Sequence, residues 1–209
     1  MNETTGVETG GRKRGQRRQE ILETLARILE EQPGERITTA GLARAVGVSE
    51  AALYRHFASK GKMFEALIEF AEEAVFGLVN RILEEQDDPA VRCEHIMSVL
   101  LGFAERNPGI TRVLLGEALV GEGDRLRQRV DGFYDSLETR FKQILREGEG
   151  TGHLPIGSPA AASANLMVSV VEGRMRQYLR SGFQRTPTAQ WEQQWSILAR
   201  ALFPGAGVG

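Results

Sequence analysis

With one cysteine in 209 residues, Cys93, the chain cannot close a disulfide within a subunit, and nothing in it argues against a reducing compartment. It also lacks any apolar run near the roughly 20 residues that a membrane span requires. Its basic N-terminal stretch leads into an amphipathic segment, not into the apolar core of a secretory signal, so the expected compartment is the cytoplasm. Histidine is scarce. His56, His95 and His153 have no second ligand three or four residues away, and Cys93 and His95 fall on different sides of a helix, so neither a metal nor a cofactor is expected. Gly157-Ser158-Pro159 lacks the glycine two positions before the serine that a nucleophile elbow needs, and no carboxylate pair stands apart from ordinary helix-surface acids. The chain is therefore not expected to be an enzyme. No window alternates cleanly between apolar and polar residues, which argues against a sheet.

What is present is one helical pattern after another, with 41% hydrophobic residues to build a core. Residues 1–11 are polar and glycine-rich and are expected to be a disordered tail. A basic arm, Arg12, Lys13, Arg14, Arg17 and Arg18, follows at the foot of a helix whose stripe is Ile21, Leu22, Leu25, Ile28 and Leu29, stopped by Pro33-Gly34. Two short helices are expected at about 39–46 and 50–56, then a long one from Lys60 to about Gln86. Asp87-Asp88-Pro89 starts the next, and Asn107-Pro108-Gly109 is a turn signal before a short helix at about 109–118. Further helices follow at about 123–147, 159–181 and 188–203, with the glycine-rich stretch Gly148 to Gly157 as the weakest-ordered internal loop. Charge is uneven: residues 1–62 hold eleven basic against eight acidic residues, a net of +3, whereas residues 63–209 carry −5. A polyanion would bind the first part.

The informative stretch is Ile37 to Lys60, ITTAGLARAVGVSEAALYRHFASK. Thr38 or Thr39 can cap a short helix with Leu42, Ala43 and Val46 on its inner face. Gly47 permits a tight turn that Val48 plugs, and Ser49 can cap a second helix. This is the helix-turn-helix plan, in which the second helix enters the major groove while the first and its flanking amides grip phosphates. Leu53 and Phe57 are expected in the core. That leaves Ser49, Glu50, Ala51, Ala52, Tyr54, Arg55 and His56 on the DNA side, with Thr38, Thr39, Lys60, Arg14 and Arg17 around the same face, and His56 as a phosphate donor. The side chains nearest the bases are small, so readout is expected to lean on DNA shape.

The stretch Thr39 through Lys60 resembles the TetR-type transcription regulators. That resemblance implies an all-α, TetR-like fold: a helix-turn-helix DNA-binding domain at 12–58 ahead of a larger helical dimerisation and partner-binding domain at 59–209. It also implies a homodimer formed by the last two long helices. A narrower resemblance, to the nucleoid occlusion factors within that family, is carried by ITTAGLARAVGVSEAALYRHFASKGKMFEALIEF, LLGFAERNPGITRVLLGEAL and EGRMRQYLRSGF. It implies binding to palindromic double-stranded DNA, association with the nucleoid and, on DNA, antagonism of the division protein FtsZ. By the same resemblance, the FtsZ C-terminal tail would lie in the groove between the long fourth helix and the fifth, at Phe70, Val99, Gly102, Arg106 and Asn107, where an apolar floor with a glycine opening and an arginine rim suits an acidic, partly apolar peptide.

The competing expectation is a ligand-responsive repressor, in which a small molecule enters a cavity of the larger domain and moves the readers out of register. Trp191 and Trp195, one turn apart with Leu198 and Leu202, are expected in the core or a dimer interface. Glu172, Arg174 and Arg176 are candidates for cross-subunit ion pairs, worth roughly 0–1 kcal/mol each where exposed.

Overall fold

A computed structural model describes residues 6–32 and 34–203, with side chains from Gly15 onward. Nine α-helices and no strand are found among them: α1 (Gly6–Glu31), α2 (Thr39–Val46), α3 (Glu50–His56), α4 (Lys60–Glu85), α5 (Pro89–Arg106), α6 (Pro108–Leu114), α7 (Asp124–Gly150), α8 (Ala160–Arg180) and α9 (Trp191–Leu202). A 3-10 turn, Glu117–Leu119, lies between α6 and α7.

Four helices, α2 to α5, begin where a side chain satisfies a free amide of the first turn. Ser59 accepts from the Lys62 amide ahead of α4, and Asp88 accepts from the amides of Ala90 and Val91 ahead of α5, with Pro89 in the first helical position where no amide is needed. The stripe Ile21, Leu25 and Leu29 is fully buried on α1, with Leu22 half-buried beside it. The longest stripe, on α4, runs Met63, Phe64, Leu67, Ile68, Ala71, Val75 and Val79, so this helix is core to both the reader helices and the body. Every residue of α6 is buried, and the helix packs on α1, α4, α5 and α8.

Three boundaries differ from expectation. Residues 6–11, expected in a disordered tail, belong to α1, because each residue added to an existing helix costs far less than starting one; residues 1–5 lie outside the described residues. The short sixth helix stops at Leu114, where the left-handed backbone of Gly116 (φ 74°) breaks it before the 3-10 turn. At the far end of α7, Gly148 to Gly150 are helical. A side chain at Gly148 would press on Pro89 and Leu154, so this glycine serves close packing of α7 on the start of α5.

Trp191 and Trp195 are core residues of the protomer. The indole of Trp191 donates to Ser98 Oγ at 2.8 Å, fastening α9 on α5. Arg174 corrects the expectation of cross-subunit pairing. It is buried, and its guanidinium donates to the carbonyls of Pro187 (2.6 Å) and Ala189 (2.5 Å) and to the Gln194 amide oxygen within the chain. Burial pulls its pKa below the usual arginine value, with Arg185 adding to the effect, and the carbonyls compensate for the lost water. Arg176 pairs with Glu172 on the same helix at 3.4 Å.

Candidate nucleic-acid interface and partner groove

The reader is built from two helices too short to stand alone, so their geometry comes from caps and from the core beneath. Thr38 Oγ1 accepts from the Gly41 amide at 3.1 Å and starts α2. The turn closes on Gly47, at φ 75°. Its amide donates to Arg44 O at 3.1 Å and the Val48 amide to Ala43 O at 2.9 Å, the paired bonds of a Schellman cap. Ser49 then accepts from the Ala52 amide at 3.2 Å and starts α3. Leu53 and Phe57 are buried beneath α3. Ser49, Glu50, Ala51, Tyr54 and Arg55 are left exposed, with Ala52 half-buried at the edge.

One contact inside this face was not legible in the sequence. Thr39 Oγ1 donates to the Glu50 carboxylate at 2.8 Å, bridging the starts of α2 and α3, so these two candidate DNA contacts act as a unit. Among the flanking basic residues, Arg17 pairs with Glu20 at 2.8 Å on the exposed side of α1. Arg18 lies 4.2 Å from the Phe57 ring centre and donates to the His56 carbonyl at 3.3 Å, which ties α1 to the end of α3. The side chain of Arg14 lies outside those described. His56 is half-buried, with Nδ1 enclosed and without a hydrogen-bond partner among the described residues.

Lys60 stands apart from this face. Its ammonium pairs with Glu122 at 2.5 Å and donates to the Ile37 carbonyl at 3.0 Å, at the joint between reader and body.

The residues expected to hold a partner peptide fall into two neighbouring sets. Phe70, 43% exposed, and Asn107 line one cleft of about 360 Å³. The Phe70 ring lies 6.3 Å from that of Phe103, and Asn107 donates to the Phe103 carbonyl at 2.8 Å. Gly102 and Arg106 form the second set one helical turn apart on α5, with the guanidinium lying over the glycine; Val99 is half-buried on the preceding turn. A wall of the Phe70 cleft comes from α1, through Gln19, Leu22, Glu23 and Ala26. Nothing in the α4 and α5 segments pointed to that wall.

Among the described residues, no group of three or more His, Cys, Asp or Glu side chains could hold a metal ion, and no helix is long and apolar enough to cross a membrane.

Comparison with known proteins places these elements. Residues 21–67 match the family model for bacterial regulatory proteins of the TetR family, and residues 87–203 match the SlmA-like model described as tetracyclin repressor-like, C-terminal domain. The nucleoid occlusion factor SlmA of Alteromonas mediterranea is 52% identical over 184 residues, covering 88% of this chain and 94% of that protein. The protein of the same name from a Marinomonas species is 49% identical, covering 91% and 96%. Among solved structures, a TetR transcription regulator from Haloarcula marismortui superposes with a TM-score of 0.75 at 18% identity, covering 90% of this chain and 99% of that one. The ketosteroid regulator KstR2 of Mycobacterium tuberculosis gives 0.73 at 19% identity, covering 90% and 95%. These distant likenesses show a shared fold, while the sequence relatives are specific: the chain belongs to the SlmA nucleoid occlusion factors of the TetR family.

Proposed function

We propose that the chain works as a homodimer that binds palindromic double-stranded DNA through α3 and its flanking arm. Once on DNA, it captures the C-terminal tail of FtsZ and inhibits ring assembly over the nucleoid. The observation that carries the partner assignment is Phe70. A half-exposed aromatic on the wall of an open cleft, beside Asn107, with Arg106 on the adjoining turn of α5, is an anchor for the apolar part of a short peptide. Dimerisation is supported by the outer face of α8, where Leu166 is 44% exposed and Ser169, Val170 and Gly173 follow within two turns, small enough for a symmetry mate to approach. Two readers would then meet half-sites about one helical turn apart, roughly 34 Å.

The test is fluorescence anisotropy of a labelled FtsZ C-terminal peptide titrated with the protein, with and without a selected palindromic duplex. Binding that tightens on DNA, and that Arg106→Asp abolishes while leaving DNA affinity intact, is the expected result. Tight DNA binding with no peptide binding in either condition refutes the assignment.

A further inference from the structure

Among the described residues, the largest fully buried side chain is charged: Arg112, 1% exposed, in the middle of α6. Its guanidinium spans two parts of the molecule. On the body side, Nη2 donates to Glu117 Oε1 at 2.9 Å and Nε donates to the other carboxylate oxygen. On the reader side, Nη1 donates to the carbonyls of Leu29 (2.5 Å) and Gln32 (3.0 Å), at the end of α1. The Leu29 carbonyl needs such a donor. Its helical partner would be the amide of residue 33, and residue 33 is a proline, which has none. A positive charge at a helix C-terminus is also favoured by the helix dipole.

Two further contacts join reader to body. Gly109, one turn before Arg112, packs so closely on α1 that a Cβ would overlap the Ala26 carbonyl. Lys60 bridges Ile37 and Glu122. Of the three, Arg112 is the one whose planar, doubly paired head group fixes an angle as well as a distance.

We infer that Arg112, oriented by Glu117, is the positioning residue that sets the angle of the DNA reader on the body, and through it the half-site spacing that the dimer accepts. The inference rests on the dimeric DNA-binding reading given above. The lever arm is long enough. From Leu29 to Arg18, which holds the end of α3, α1 runs 11 residues, about 16 Å at about 1.5 Å per residue. A tilt of about 10° at the latch therefore moves that end by about 3 Å. One inserted base pair moves a half-site by a similar distance, about 3.4 Å, and turns it by about 34°. A joint that holds its angle more tightly than this discriminates spacing, and one that does not accepts both.

The experiment measures affinity for an operator selected with the wild-type protein, for the same operator with one central base pair added or removed, and for a duplex carrying one half-site. Wild type is compared with Glu117→Gln, Arg112→Met and Arg112→Lys, with light scattering to establish the dimer and a thermal melt to establish folding. Wild type is expected to favour the native spacing by about tenfold or more. Glu117→Gln and Arg112→Met are expected to bring that preference within about threefold while half-site affinity stays within about twofold, and Arg112→Lys to restore part of it. Should Arg112→Met fail to fold, Glu117→Gln decides alone, because it keeps the carbonyl contacts of the guanidinium. A folded, dimeric Glu117→Gln with the wild-type spacing preference overturns the inference by itself. A monomeric wild type overturns the dimer reading and this inference with it, whereas a dimeric wild type indifferent to spacing overturns the inference alone.

Discussion

Replacing Gly109 with alanine tests how closely α6 is seated on the reader. Judged as an isolated helix the change is favourable, because alanine is a better helix former than glycine by about 1 kcal/mol. In the folded chain the new methyl would overlap the Ala26 carbonyl oxygen and sit 2.9 Å from its carbon and 3.1 Å from Leu29 Cβ. The first two are backbone atoms of a helix and cannot swing aside, so α6 must move bodily. Both neighbours along the chain, Pro108 and Ile110, are buried, so the movement strains a packed core. Overpacking of this kind costs about 1–3 kcal/mol and sometimes more, and overlap with backbone atoms puts this site at the upper end, about 3 kcal/mol, so that after the propensity gain of about 1 kcal/mol the net loss is on the order of 2 kcal/mol. For a chain of this size that lowers the melting temperature by about 4–8 °C. Gly77→Ala is the matched control. Gly77 lies within α4 with nothing near the position of a Cβ, so the same substitution should raise stability by up to about 1 kcal/mol. Thermal melts followed by circular dichroism at fixed protein concentration read both variants. A Gly109→Ala protein as stable as wild type would refute the claim that the close approach of α6 and α1 is rigid.

The remaining predictions concern two titratable groups. Cys93 is fully buried on α5, and burial raises its thiol pKa far above the usual value, so a thiol reagent at neutral pH should label the folded protein far more slowly than the urea-unfolded chain; rapid stoichiometric labelling of the folded state would contradict this. Glu65 is held below the ordinary carboxylate value of 4.5 by the hydrogen bond from Lys62 first, against the opposing effect of burial, with Arg125 and Arg129 assisting. A carboxylate whose folded pKa is depressed stabilises the fold above its unfolded pKa and loses that contribution as pH falls through the folded one. The melting-temperature advantage of wild type over Glu65→Gln should therefore be present at pH 7 and shrink below about pH 4.5. An advantage that is constant with pH would show that the contact acts through packing alone.

The starts of α2, α3 and α5 were legible because they rest on local chemistry: Thr38 and Ser49 can cap a helix wherever they stand, and Asp88-Pro89 marks a first turn. The exposed face of α3 was equally legible, since burial of Leu53 and Phe57 fixes which of its positions face outward. What escaped depends on residues far apart in the chain. The Lys60–Glu122 pair spans 62 positions and the Arg112–Leu29 contact 83, and no periodicity within either segment announces its partner. Lys60 reads as one more cation beside a helix-turn-helix until the loop after α6 folds across it. Arg174 misled for the same reason, because its three acceptors lie in the irregular stretch before α9 and in α9 itself.

That arrangement at α9 bears on how the chain can be dissected. The last helix brings one of the three acceptors of the buried Arg174 guanidinium, Gln194, and its two tryptophans close the surface of α5 and the ring of Phe203. Removing it would weaken the support of a buried cation and strip an aromatic cover in one cut. Deletion mapping from this end therefore reports on folding before it reports on any partner, and point substitutions on the exposed side of α9, such as Ile197, are the sound way to probe that region.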